Sequence, residues 1–264
     1  MTSSTPFAAL HASGTFVIPN PRDVGEARLL EGMGFPALAT TSAGFAATLG
    51  RADQSVTLDE LVAHVGALTG AVEVPVSVDA ENGFADDPAQ VARTVLRLAE
   101  AGAAGVSVED HDPVAGTLYP AGLALERVQA AAEAARTAGV VLTARSEGLL
   151  RGTADLDETL ARLRSFEGAG AGCLYAPGPR DLATIATLVG ALTTGINVLA
   201  WPGGPSVDEL AGVGVRRVSV GSWFSTAASA AVVGLARTLA DGGGLPEDLA
   251  GPPADLVERA WRRR

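Results

Sequence analysis

There is no lysine in this chain; all nineteen basic residues of its 264 are arginine. Without lysine no Schiff base can form with a carbonyl substrate, so imine-based aldolase and decarboxylase chemistry is excluded. The lysine of a phosphate-binding P-loop is missing for the same reason. Cysteine is nearly absent too. The single Cys173 rules out an intramolecular disulfide and fits a reducing cytoplasm. Positive charge is scarce: thirty acids outnumber the arginines, for a net charge of −11. That balance argues against a nucleic-acid partner, because phosphate contacts need a basic surface. No apolar run is both long enough and free of turn signals to span a membrane. The opening Met1-Thr-Ser-Ser-Thr-Pro6 lacks the charged and apolar regions of a signal peptide. The expectation is a cytoplasmic protein with neither a nucleic-acid nor a membrane partner.

What is present is a regular alternation. Short β-branched runs at 16–18, 37–41, 74–79, 105–109, 140–145, 172–176, 196–200 and 217–220 read as strands. Between and after them, Ala/Leu/Arg segments of helical period lie at 24–33, 58–68, 88–101, 123–138, 156–167, 180–192, 207–210 and 225–239. Thr57 with Glu60 three residues later has the pattern of a capping box. Asp87 followed by Pro88 marks another helix start, since a proline at the first helical position gives up no needed N–H. Glycines 34, 102, 139, 170 and 214 end helices where a left-handed cap is wanted. Eight strand–helix units predict a (β/α)8 barrel over residues 1–240, followed by a tail and short helix over 241–264 that packs on the barrel or on a neighbouring subunit. A doubly wound sheet is the competing architecture. It would want a Gly-rich phosphate turn after the first strand, and Pro19-Asn20-Pro21-Arg22-Asp23 is not one.

Chemistry in a barrel collects at the carboxyl ends of the strands. Four acids stand at two adjacent ends: Asp79 and Glu81 after the third strand, Glu109 and Asp110 after the fourth. A strand buried on both faces gains nothing from a carboxylate at its tip. Two neighbours ending this way suggest a hard divalent cation held by oxygen, Mg²⁺ above others, with some acids acting through water. The fifth strand ends on Arg145. An arginine on an apolar strand either pairs with the acidic cluster or clamps a substrate carboxylate bidentately. His111 follows Glu109-Asp110 in a loop over the expected site and is either an acid–base group or an exposed histidine. His11 and His64 read as surface or packing residues, Cys173 as a small core residue, and Trp201 as a pocket wall.

These segments together resemble the isocitrate lyase/phosphoenolpyruvate mutase superfamily. The resemblance is carried by Val17-Ile-Pro-Asn-Pro-Arg-Asp23, Gly34-Phe-Pro-Ala-Leu-Ala-Thr-Thr-Ser-Ala-Gly44, Leu49-Gly-Arg-Ala-Asp53, Val78-Asp-Ala-Glu-Asn-Gly83, Val108-Glu-Asp110, Thr143-Ala-Arg145 and Asn197-Val-Leu-Ala200. It implies a barrel whose last helix is exchanged between subunits of a homo-oligomer, a tetramer or a dimer. It implies Mg²⁺ near Asp79, Glu81 and Glu109, with Asp53 joining through water or touching substrate. It implies that Thr41, Ser42 and Ala43 hold a pyruvate-like carboxylate together with Arg145, and that Asn197 lies at the same site. Members cleave or form C–C or P–C bonds beside an enolpyruvate or oxo-acid fragment, and a metal and an arginine suit the enolate charge that develops.

One stretch departs from the family. Its C–C lyases carry a Lys-Cys-Gly-His loop after the fourth strand, whose cysteine protonates the enolate. Here the loop reads Asp110-His-Asp-Pro-Val-Ala-Gly-Thr-Leu-Tyr-Pro120, without lysine or cysteine. The lysine- and asparagine-containing loop of the P–C mutases is missing as well. His111 and Tyr119 are therefore the candidates for proton transfer. The leading expectation is a Mg²⁺-dependent lyase for a small 2-oxo or 2-hydroxy carboxylate. Phosphonopyruvate hydrolysis or mutase-like chemistry is the second, and a barrel that binds a metabolite without turnover the third.

Overall fold

A computed structural model describes residues 5–262. Its strands are β1 (Phe16–Ile18), β2 (Leu38–Ala39), β3 (Val76–Asp79), β4 (Gly105–Glu109), β5 (His111–Asp112), β6 (Thr117–Leu118), β7 (Val141–Arg145), β8 (Cys173–Tyr175), β9 (Ile196–Leu199) and β10 (Arg217–Ser219). Eight of them form one parallel sheet in the order β1-β10-β9-β8-β7-β4-β3-β2. The sheet curls until its first and last strands meet. The Ala39 N–H donates across the seam to the Pro19 carbonyl at 3.0 Å. This is a (β/α)8 barrel. Each of the eight expected strands is present, shortened by up to three residues where the chain bends out of the sheet.

Asn20 fastens that seam. Its side-chain amide donates to the Thr40 carbonyl at 2.8 Å and accepts from the backbone N–H groups of Val220 (2.9 Å) and Gly221 (3.0 Å). It thereby ties the carboxyl ends of β1, β2 and β10 together. Asn20→Ala leaves buried backbone groups unsatisfied, and the expected loss is about 1–3 kcal/mol of stability, read as a lower denaturant midpoint.

Helices cover the outside. Val78, Val106, Leu142 and Leu174 on the strands pack against a large apolar cluster that includes Val95, Leu98, Leu163 and Phe166. The Thr57–Glu60 capping box is formed, and the Asp87 side chain accepts from the Gln90 N–H ahead of the helix Pro88–Glu100. Glycines 34, 102, 139, 170 and 214 all have positive φ, where a Cβ would be strained. The helix expected over 255–264 runs Ala254–Trp261 and buries Leu256 and Ala260 in packing on the helix Val24–Gly32; residues 263–264 lie outside the described residues. No described helix is long and apolar enough to cross a membrane.

Besides the helical turn Gly148–Arg151 after β7, three elements were not foreseen. The helix Pro6–Leu10 sends Phe7 against the floor of the barrel, beside Phe16 and Gly105. The helix Ser42–Thr48 follows β2 directly. The loop after β4 folds into the hairpin β5–β6, whose turn is held by Asp112 accepting from the N–H groups of Val114 and Ala115.

Candidate active site

The acid-tipped strands do meet, and a guanidinium stands between them. Asp79 ends β3, Glu109 ends β4 and Arg145 ends β7, three adjacent strands whose register sets Glu109 beside Arg145. Arg145 Nη1 lies 2.8 Å from Asp79 Oδ1, and its Nη2 lies 3.1 Å from Glu109 Oε2 and 2.9 Å from Glu147 Oε1. Its Nε also donates to Glu147, at 3.0 Å. Of the two roles open to Arg145, the structure shows the paired one. Burial alone would lower its pKa, but Glu147, Asp79 and Glu109 together push it further up. Arg151, from the short turn of helix after β7, adds a longer approach of 3.8 Å to Glu109.

Asp79 is held from several sides. Its Oδ2 accepts from the Ser42 backbone N–H at 3.2 Å, and its own N–H donates to Thr40 Oγ1 at 2.9 Å. The start of the helix Ser42–Thr48 thus turns toward the carboxylate. Asp110 differs from its neighbour Glu109. Its carboxylate accepts from the Glu147 N–H at 2.8 Å and the Ser146 hydroxyl at 3.1 Å, with Arg162 at 3.4 Å. It fixes the loop that carries Glu147 and has no oxygen free for a ligand.

Glu81 is the unsettled member. Only 7% of the residue is exposed, yet its carboxylate makes no hydrogen bond or ion pair with any described residue. Burial, reinforced by the charges of Asp79 and Asp53, raises its pKa to about 8. Burial likewise drives Glu109 well up, against the pull of Arg145. The backbone at Glu81 is left-handed, with φ 49°, a conformation that costs a non-glycine residue free energy unless its surroundings enforce it. The loop beyond supplies that enforcement. Arg127 donates to the Asn82 carbonyl, Thr94 donates to the Gly83 carbonyl at 2.9 Å, and Asn82 Nδ2 donates to the Tyr119 hydroxyl at 3.0 Å.

The remaining predicted residues are distributed as follows. Thr41, Ala43 and Asn197 line the cavity at the centre of the barrel, with Asp79 and Arg145; its volume is ≈ 160 Å³. Asp53 is exposed, and its carboxylate accepts from the Gln54 N–H. Tyr119 and His111 do not line this cavity. The Tyr119 hydroxyl donates to Asp86 at 2.5 Å, under the Arg127 guanidinium 3.7 Å from its ring. His111 is buried in the hairpin with its Nδ1 unpartnered, and burial, followed by the charge of Arg151, lowers its pKa. Among the described residues no group of three His, Cys, Asp or Glu side chains is set to hold a metal directly. In this arrangement Arg145 stands between Asp79 and Glu109. Sequence reading gave Glu147 no role at the site and passed over Tyr175, which lines the cavity with its ring 5.2 Å from the Arg145 guanidinium. Glu147 was visible two residues after Arg145; Tyr175 was marked only by its alternation with Cys173 on β8.

The profile of the phosphoenolpyruvate phosphomutase family matches residues 7–240. The chain belongs to that family. Within the phosphoenolpyruvate phosphomutase family it is 32% identical to an oxaloacetate decarboxylase of Bradyrhizobium sp. (strain ORS 278), over 92% of this chain and 88% of that one. A lyase/mutase candidate from Burkholderia cenocepacia J2315 superposes with a TM-score of 0.92 at 42% identity, over 98% of this chain and 95% of the other. An oxaloacetate acetylhydrolase in complex with its product oxalate superposes with a TM-score of 0.85 at 25% identity, over 97% and 93%. The wider isocitrate lyase/phosphoenolpyruvate mutase grouping read from the strand-end motifs is therefore the right one.

Proposed function

We propose that the protein is a Mg²⁺-dependent lyase that breaks a C–C bond in a small 2-oxo or 2-hydroxy carboxylate through a pyruvate-type enolate. The observation that carries this reading is Glu81: a carboxyl on a largely buried residue, without a protein partner and two residues from Asp79, whose Oδ1 accepts from the Glu81 N–H at 3.4 Å. An isolated carboxylate in such a place is costly unless a cation joins it. Asp79 and Glu81 are the oxygen donors that would hold the ion, with Glu109 and Asp53 acting through water, an arrangement suited to an ion that keeps several waters. Bound there, Mg²⁺ would supply Lewis-acid stabilisation of developing enolate charge.

The chain's own residues do the rest. Arg145 brings a planar cation to the same charge, and Glu147 keeps that fork oriented. The Thr41-Ser42-Ala43 segment offers backbone donors for a substrate carboxylate, and Asn197 lines the wall beneath. For the proton returned to the enolate, neither sequence candidate lines the cavity: His111 Nδ1 is unpartnered but held in the hairpin, and Asp86 and Asn82 both engage the Tyr119 hydroxyl, so the step is assigned to neither. Relatives that act on oxaloacetate support a four-carbon oxo acid as the first substrate to try.

A second copy of the chain completes this proposal. The helix Trp223–Ala240 buries only Ser225, and Val232 and Val233 on it are 67% and 47% exposed. An 18-residue helix with so much exposed apolar surface suits exchange within a cytoplasmic homo-oligomer. The test is a turnover panel with Mg²⁺: oxaloacetate, 2-methylisocitrate, malate-type acids and phosphonopyruvate. C–C cleavage of one carboxylate, lost on chelation, is the expected result. Turnover of phosphonopyruvate alone would assign P–C chemistry instead, and oxalate binding with no turnover would leave a binding protein.

A further inference from the structure

Below the acid cluster the wall of the cavity changes character. Barrel interiors are usually filled by branched apolar side chains. Here Ser77, Ser107, Asn197, Ser219 and Arg217 line the lower cavity wall. Arg217 opens β10 and is only 5% exposed. Its guanidinium crosses the inside of the barrel to β7, where Nη2 donates to Thr143 Oγ1 at 3.0 Å. Its Nε donates to Asn197 Oδ1 at 2.9 Å, and its Nη1 lies 3.4 Å from His11 Nε2.

All three partners are neutral. His11 Nδ1 stands 2.9 Å from the Phe7 carbonyl, which can only accept, so Nδ1 carries the proton and Nε2 faces Arg217 as an acceptor. Burial first, then the charge of Arg217, lowers the His11 pKa to about 4. No described acid forms an ion pair with Arg217. The other buried arginines are placed differently. Arg145 has three carboxylates and Arg162 has two, while Arg127 lies against the Tyr119 ring and away from the cavity. Arg217 is thus a buried cation that faces a cavity without a counter-charge, a state that protein interiors resolve by binding one.

We propose that the floor of the cavity is a second anion subsite, in which Arg217 holds a compact monoanion of the carboxylate or halide type. Asn197 and Thr143 are positioning residues that keep the guanidinium across the barrel. The subsite does not rest on the metal or on the lyase reading, and it is tested with neither present.

The experiment soaks metal-free crystals in sodium bromide and follows chloride NMR line width in solution. The expected result is an anomalous bromide peak within hydrogen-bonding reach of the Arg217 guanidinium. Wild-type protein should broaden the chloride line, formate should narrow it again, and Arg217→Gln should abolish the broadening. One co-ligand separates the sources of the anion: if bromide leaves when succinate is added, the subsite takes one carboxylate of a dicarboxylate ligand; if it persists, it takes a free inorganic anion. Water alone at that position in the wild-type soak overturns the proposal, as does a peak at crystal concentration with no broadening in solution. Broadening that survives in folded Arg217→Gln overturns it too. Should that variant not fold, the wild-type soak decides the matter by itself.

Discussion

Arg145→Met is expected to destabilise the protein by about 3–5 kcal/mol at neutral pH, the range found when one partner of a buried ion pair is removed. The substitution keeps a side chain of similar length and deletes the one cation that pairs with all three of Asp79, Glu109 and Glu147, leaving only the longer approach of Arg151 to Glu109 and Glu147. Three carboxylates would then face one another with little water to screen them. The effect has a pH signature. Burial already raises the pKa of Glu109 in the intact protein, and losing the guanidinium raises it further. A carboxyl whose folded pKa exceeds its unfolded value stabilises below the unfolded pKa and loses that contribution as pH rises through the folded one. Denaturant midpoints of the variant should therefore recover toward wild type at pH 5 and fall away at pH 8. Equal midpoints for variant and wild type across that range would show that the acids tolerate each other without Arg145.

Glu81→Gln is expected to act in opposite directions on stability and on metal binding. In metal-free protein burial pushes the Glu81 pKa up to about 8, against 4.5 for an ordinary glutamate carboxyl. Its contribution is therefore complete below about pH 4.5 and is lost as pH rises through about 8. Each pKa unit corresponds to ~1.4 kcal/mol. Discounted for the solvent that still reaches the carboxyl, the loss across that window is about 2–3 kcal/mol. Glutamine has no proton to lose, so the variant should be the more stable protein at pH 8 in chelator. The same change removes an oxygen donor that must deprotonate before a cation binds. Wild-type Mg²⁺ affinity should rise with pH up to about 8, with proton release, and the variant should lack both the affinity and the slope. Thermal melts with chelator and with Mg²⁺, run from pH 5 to 9, read both effects. A variant that melts with the same pH profile as wild type would remove Glu81 from the cluster.

The barrel was legible because parallel strands buried on both faces must be short and apolar, and Val76–Asp79 and Gly105–Glu109 are both. The helix starts were legible where side chains announce them, as at Thr57 and Asp87. The helix Ser42–Thr48 announces little. Its Ser-Ala-Gly-Phe-Ala-Ala-Thr sequence has almost no apolar period, and Thr41 looks as much like a strand end as the N-cap it is. The hairpin after β4 is specified by a tertiary fit: Tyr119 returns beneath Arg127, and its N–H donates to the Asp110 carbonyl.

The acids and Arg145 were rightly brought together by strand order, since Asp79, Glu109 and Arg145 end adjacent strands. Which of them touch was beyond a one-dimensional reading. Whether a guanidinium or a cation sits between two carboxylates depends on side-chain reach, and Glu147 enters from a loop whose course Asp110 sets. The lower interior was hidden for a different reason. Ser77, Ser107 and Ser219 alternate with Val78, Val106 and Val218 as they would on any strand with one polar face. Only closure of the barrel shows that the polar face points inward.

Calorimetric titration of oxalate, with and without Mg²⁺, into wild-type protein and Asp79→Ala tests the central claim most directly. Oxalate should bind wild type only when Mg²⁺ is present, and Asp79→Ala, still folded by its melting curve, should bind it under neither condition. Wild-type affinity in the variant, or oxalate binding to wild type that ignores the metal, would contradict a cation held at the tips of β3 and β4 beside Arg145.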